Sequence, residues 1–169
     1  MTSIIHAETP LQVNQARVLF QDYAASLDFD LCFQDFNEEL RNLPGAYARP
    51  QGCLLLAQEN DTVIGCVAMR PLEETVCEMK RMYVIPRFRG RGVGRLLANA
   101  VIAEAKQYGY QRMCLDTVSS MATAKALYKS LGFRQIPPYC HNPIPGAIYF
   151  ELNLTRISHE QCQKDKKNL

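Results

Sequence analysis

The 169-residue chain has no marked excess of charge, no C-x-x-C pair and no long apolar run. Each absence removes a class of function. Lys and Arg number 19 and Asp and Glu 17, a net charge of +2, so there is no case for a broad nucleic-acid or membrane surface. The seven cysteines (Cys32, Cys53, Cys66, Cys77, Cys114, Cys140 and Cys162) are odd in number and scattered through apolar runs. They read as reduced thiols of a cytoplasmic protein, neither a disulfide frame nor a zinc site. His6, His141 and His159 lack metal-ligand spacing and read as surface or loop residues, so no metal is expected. No apolar run approaches the roughly 20 residues of a transmembrane helix. Residues 1–8 are too short and too polar for a signal peptide. Repeats and low-complexity linkers are missing too. What remains is an apolar content of 47%, enough for one sizeable core. The chain is expected to form a single domain over 1–154, with a polar tail at 155–169.

The apolar pattern predicts an order of elements. Residues 4–7 form a strand, and 11–27 form a helix begun by Pro10. A short helix at 36–43 ends at Pro44-Gly45. Runs at 53–57 and 63–69, joined by Asn60-Asp61, read as a hairpin. Residues 76–85 form the next strand, ended by Pro86. An amphipathic helix follows, with Val93, Leu96, Leu97, Ala100, Val101, Ala105 and Tyr108 on one face and Gly109 beyond its end. A strand at 113–115 precedes a helix capped by Ser119 or Ser120 and closed by Gly132. A proline-rich loop then leads to a last strand at 147–154. The fold class is α/β (mixed α+β): a central mixed sheet of about six to seven strands with helices on both faces. The strand–helix–strand unit at 79–115 makes its two strands parallel.

The most informative segment is Arg89-Gly90-Arg91-Gly92-Val93-Gly94. A helix start leaves backbone N–H groups without partners and carries partial positive charge, so it binds phosphate. Glycines let the backbone approach closely and adopt positive φ. Arg87, Arg89, Arg91 and Arg95 add cations, and together they point to a phosphorylated cofactor. A P-loop is excluded, because no Lys-Ser or Lys-Thr follows the glycines. A dinucleotide fingerprint also fails, because Arg95 stands at the third glycine position.

At this turn the chain resembles the GNAT superfamily of acyl-CoA-dependent N-acetyltransferases. Its donor motif, [RQ]-x-x-G-x-[GA], is met at every fixed position by Arg89 to Gly94. Residues 124–133, AKALYKSLGF, match A-x-x-L-Y-x-x-x-G-F, and the strand EMKRMYV at 78–84 is also similar. The resemblance covers roughly residues 53–154. It implies two parallel strands, the fourth and fifth, that splay apart around the pantetheine arm of acetyl-CoA. Met82, Tyr83 and Val84 would line that arm, and the amides of Arg89, Gly90, Arg91, Gly92, Val93 and Gly94 would hold the pyrophosphate. Ala124 and Tyr128 would border the cofactor. Met121 stands where many members carry Asn. A homodimer is a common assembly in the family.

The resemblance also implies roles in the reaction. An ammonium must lose a proton, and the departing thiolate must gain one or be stabilised. Tyr128 matches the family's general-acid tyrosine. A phenol ionises near pH ~10 and a thiol near ~8.5, so the phenol is protonated at neutral pH. Its alternative is an amphipathic core residue. Glu78 occupies a strand position where several members place a catalytic base; its alternative is a charge on a solvated strand face. A backbone amide near Val84 would stabilise the oxyanion. The acceptor site would come from residues 28–52 and 137–146. There Asp28, Asp30, Asp35, Glu38 and Glu39 alternate with Phe29, Phe33, Phe36 and Tyr47, either to receive a cationic amine or as a solvated acidic face. Arg41, Arg49 and Arg70 could hold a substrate carboxylate, with Tyr139 and Asn142 completing the pocket. The function expected is acetyl transfer to a small-molecule primary amine. The alternatives are a protein or peptide amine acceptor, a non-catalytic acyl-CoA-binding module, or a nucleic-acid binder using residues 87–95.

Overall fold

The computed structural model describes residues 1–32 and 35–155. Phe33, His159, Cys162 and the expected tail beyond Thr155 lie outside them. Strands β1 (Thr2–His6), β2 (Cys53–Glu59), β3 (Thr62–Glu73), β4 (Val76–Val84), β5 (Arg112–Val118), β6 (Arg134–Ile136) and β7 (Ala147–Asn153) form one sheet. Their order is β1-β2-β3-β4-β5-β7-β6, antiparallel everywhere except between β4 and β5. Four helices cover the sheet: α1 (Pro10–Ser26), α2 (Phe36–Asn42), α3 (Val93–Gln107) and α4 (Ala122–Ser130).

Alternation along the strands divides the core in two. On one face Leu55, Val67, Met79, Met113, Leu115 and Phe150 pack with Leu97 and Val101 of α3 and Tyr128 of α4. On the other, Leu54, Leu56, Cys66, Ala68 and Tyr83 pack with Ala16, Leu19 and Phe20 of α1 and Phe36 of α2. Phe20 and Phe150 are fully buried. Removing an apolar side chain of that size from water contributes about 1.5–3 kcal/mol.

Helix α1 begins at a reciprocal cap. The Gln12 amide donates to Thr9 Oγ1 at 3.2 Å, and the Thr9 amide donates to Gln12 Oε1 at 3.0 Å. Two expectations need correction. Leu96 is 43% exposed, and Ala98 and Ile102 complete the buried face of α3 in its place. Neither Ser119 nor Ser120 caps α4; its N-cap is Met121, with no side-chain cap bond. The Ser119 amide instead donates to Gly146 O at 2.9 Å, tying the β5–α4 turn to the loop before β7.

Candidate active site

The parallel ladder between β4 and β5 is short. It pairs Val76 with Arg112, Cys77 with Met113 and Glu78 with Cys114, and then the strands diverge. A bulge sits in the diverging part of β4. Between the pairs Ala68–Lys80 and Cys66–Tyr83, Arg81 and Met82 together face the single residue Val67, and Arg81 adopts φ 58°. Beyond Glu78 the edge of β4 that faces β5 carries no ladder bond. A cleft of about 870 Å³ opens there. Its walls include Met82, Tyr83, Val84, Arg89, Gly90, Gly92, Val93, Gly94, Met121, Ala124 and Tyr128.

One end of the cleft is the start of α3. Gly92 is the N-cap at φ 81°, and Gly90 has φ 73°; a Cβ at either would meet open space, so it is the backbone conformation that calls for glycine. The first helical bond runs from the Leu96 amide to Gly92 O, and no side chain caps the turn. The amides of Val93, Gly94 and Arg95 therefore have no intrahelical partner. With no acidic residue in that first turn, the end suits an anion such as a diphosphate. The arginines are arranged unequally. Arg89 Nε donates to Val84 O at 2.9 Å, and its guanidinium lies 5.5 Å from the Tyr83 ring centre. Arg95 reaches Ser130 Oγ at 2.9 Å. Arg91 turns away to Glu59, at 2.9 and 3.1 Å, and does not line the cleft.

Tyr128 lines the middle of the cleft, packed against Phe133 and Phe150. Burial pushes its phenol above the ordinary 10.0, with smaller pushes from Tyr23 and Asp116. The group therefore holds its proton across the neutral range, as a donor to a departing sulfur must. Thr117 Oγ1 lies 3.3 Å from Met121 Sδ across the turn into α4.

Glu78 lies deeper, where the strands are still paired, and it does not line the cleft. Arg70 Nε donates to its Oε1 at 2.8 Å and Tyr139 OH to its Oε2 at 2.7 Å. The next same-face residues outward on the two strands are Lys80 and Asp116. Both line the cleft, and both side chains are only 7% exposed. Lys80 Nζ stands 3.6 Å from Asp116 Oδ1, and Asn142 Nδ2 donates to Asp116 Oδ2 at 2.9 Å. From α1 and the segment after it, Tyr23, Ser26, Phe29 and Leu31 also line the cleft.

Several expected acceptor residues stand elsewhere. Arg49 pairs with Glu8 at 2.9 Å, Arg70 with Glu78, and neither they nor Arg41 line the cleft. Asp35, Glu38 and Glu39 border a separate cavity of about 310 Å³. Glu39 also accepts from Tyr47 OH and from Arg81 Nε at 2.9 Å, beneath the contact of Arg81 with the Phe36 ring. His6 is not a free surface residue, since its Nε2 lies 3.2 Å from Glu104 Oε1. Lys80, Asp116 and Tyr23 were not foreseen. The signal for Asp116 is a charge following the apolar run Met113-Cys114-Leu115, which a folded chain keeps only for a partner or a function.

Among the described residues no group of three or more His, Cys, Asp or Glu could hold a metal ion. No helix among them is long and apolar enough to cross a membrane.

Comparison with known proteins agrees with this geometry. The profile of the Acetyltransferase (GNAT) family matches residues 15–133. An uncharacterized N-acetyltransferase of Schizosaccharomyces pombe is 39% identical over 156 residues, covering 91% of this chain and 96% of that protein. The N-acetylaspartate synthetase of Rattus norvegicus is 34% identical over 110 residues, covering 64% of this chain and 37% of the rat protein. The structure of YncA from Salmonella typhimurium, solved with its cofactor acetyl-CoA, has the same fold. Its TM-score is 0.67 at 21% identity, over 94% of this chain and 96% of that one.

Proposed function

This chain belongs to the GNAT family of acetyltransferases, and we propose that it moves the acetyl group of acetyl-CoA onto the primary amine of a small molecule, an amino acid or an amine-like metabolite. One observation carries this reading. A single cleft runs from the uncapped start of α3, past Tyr128, to Lys80, Asp116 and Asn142. The diphosphate lies on the amides of Val93, Gly94 and Arg95, with the thioester between the splayed strands. The amine lone pair attacks the thioester carbonyl carbon. The C–N bond forms as the carbonyl π pair moves onto oxygen, giving a tetrahedral oxyanion; when the carbonyl re-forms, the C–S bond breaks and sulfur leaves with the bonding electrons. Tyr128 donates a hydrogen bond to that sulfur, and a backbone amide near Val84 steadies the oxyanion.

The nitrogen must shed a proton. Glu78 has both oxygens already engaged and stands off the cleft wall. Asp116 lines the wall, so we assign proton removal to Asp116 and give Glu78 the work of holding Arg70 and Tyr139 in place. The name of the N-acetylaspartate synthetase relative supports a small acceptor. Six free cysteines among the described residues fit a cytoplasmic setting.

The test is thiol release from acetyl-CoA across a panel of amines. The wild-type protein should release thiol with at least one amine. Tyr128→Phe should lower kcat on the order of 10²-fold with little change in the KM for acetyl-CoA. Acetyl-CoA binding without release toward any amine would reduce the chain to a binding module.

A further inference from the structure

We propose that the acceptor is a free amino acid, recognised by an exchange of ion pairs in which its amine meets Asp116 and its carboxylate meets Lys80. This rests on the acetyl-transfer reading and names the substrate class for the same cleft.

The ladder register places the two residues. Glu78 and Cys114 are the last pair of β4 and β5, so Lys80 and Asp116 are the next residues of that face, one on each side of the opening. Both are nearly buried, yet both line the cleft. Their separation of 3.6 Å is longer than a charge-assisted hydrogen bond, which closes to about 2.7–2.9 Å. Asp116 is steadied from the far side by Asn142, which leaves its Oδ1 turned toward Lys80 and the cleft.

Charge balance then selects among acceptors. A plain amine that displaced Lys80 from Asp116 would separate a nearly buried ammonium from this counter-charge, which is costly in a poorly solvated wall. A zwitterion brings one charge of each sign, close together. It replaces the Lys80–Asp116 pair with two pairs. A peptide N-terminus has the amine but an amide where the carboxylate would be, so it fails the same requirement.

The experiment measures thiol release from acetyl-CoA with the common L-amino acids and, in parallel, with their carboxamides. The carboxamide keeps the α-amine and side chain and removes only the negative charge, so it also stands in for a peptide end. For the best acceptor, the wild-type protein should favour the acid over the amide by at least tenfold in kcat/KM. Lys80→Met should erase that preference, chiefly through a higher KM for the acid, and Lys80→Arg should restore most of it. Circular dichroism melts of the two variants separate loss of recognition from loss of folding. Turnover of carboxamides as good as that of acids in the wild-type protein overturns the inference while leaving acetyl transfer intact. So does a preference that survives Lys80→Met. Thiol release with neither series, at normal acetyl-CoA binding, would remove the small-amine reading and this inference together.

Discussion

A carboxylate removes a proton only if a lone pair faces it, and at the residue scale this separates two acids of similar sequence setting. Glu78 and Asp116 each sit within a strand of the sheet. Glu78 spends one oxygen on Arg70 and the other on Tyr139, whereas Asp116 spends one on Asn142 and turns the other into the cleft. Asp116→Asn should therefore lower kcat on the order of 10²-fold and also lower thermal stability, because the nearly buried Lys80 loses this counter-charge. Glu78→Gln should act mainly on stability. It weakens the Arg70 pair, lowering stability by about 1–2 kcal/mol because Arg70 stays partly in solvent, and it reduces kcat less than Asp116→Asn does. Paired measurements of kcat and denaturation midpoints decide this, and a larger kcat loss in Glu78→Gln would return the base to Glu78. That Tyr128 lines the cleft could be anticipated from its surrounding motif. The place of Asp116 on the same wall could not, because it depends on which way one strand leans from another.

At the element scale, the two long helices start in contrasting ways. Helix α1 closes its own first turn through Thr9 and Gln12. Helix α3 starts on Gly92, which has no side chain to offer, and leaves its amides for a ligand. Thr9→Ala should cost about 1 kcal/mol in a urea titration and leave acetyl-CoA binding unchanged; no measurable cost would mean that the cap is idle. The glycine turn and the 3.6-residue period of α3 were legible because both are local. The width of its buried face was less so: Leu96 keeps the period yet lies 43% exposed, where no element covers it. The short β6 carried too little pattern in three residues to be read at all.

At the scale of the whole molecule, the surroundings of the cleft are assembled by pairs far apart in the chain. Arg81 meets Glu39 across 42 residues and Tyr139 meets Glu78 across 61. Periodicity cannot see such pairs, so the acidic segment around α2 could be read either as an acceptor site or as a solvated face, whereas Glu39 pairs with Arg81 and Asp35, Glu38 and Glu39 border a separate cavity. Mixed sheet, flanking helices and splayed parallel strands were all expected and are all present. The two-sided core also fixes a response to alkali. Burial pushes the thiols of Cys53, Cys77 and Cys114 from 9.0 up to about 12. In the unfolded chain they ionise first, so the unfolded state holds fewer protons between those values and gains as pH rises. Stability should be flat below about pH 8 and fall from 9 toward 12. Melting temperatures at pH 7.5, 9 and 10.5 test this, and a rise at the highest pH would contradict it.

The central claim is that the free amides at the start of α3 hold the diphosphate of coenzyme A. Calorimetric titration of acetyl-CoA into the wild-type protein and into Gly92→Glu tests it directly. The account predicts saturable one-site binding to the wild type and none to the variant, whose carboxylate would sit against the phosphates with its backbone held at φ 81°. Equal affinity in the two proteins, or no heat in either at millimolar ligand, would contradict it.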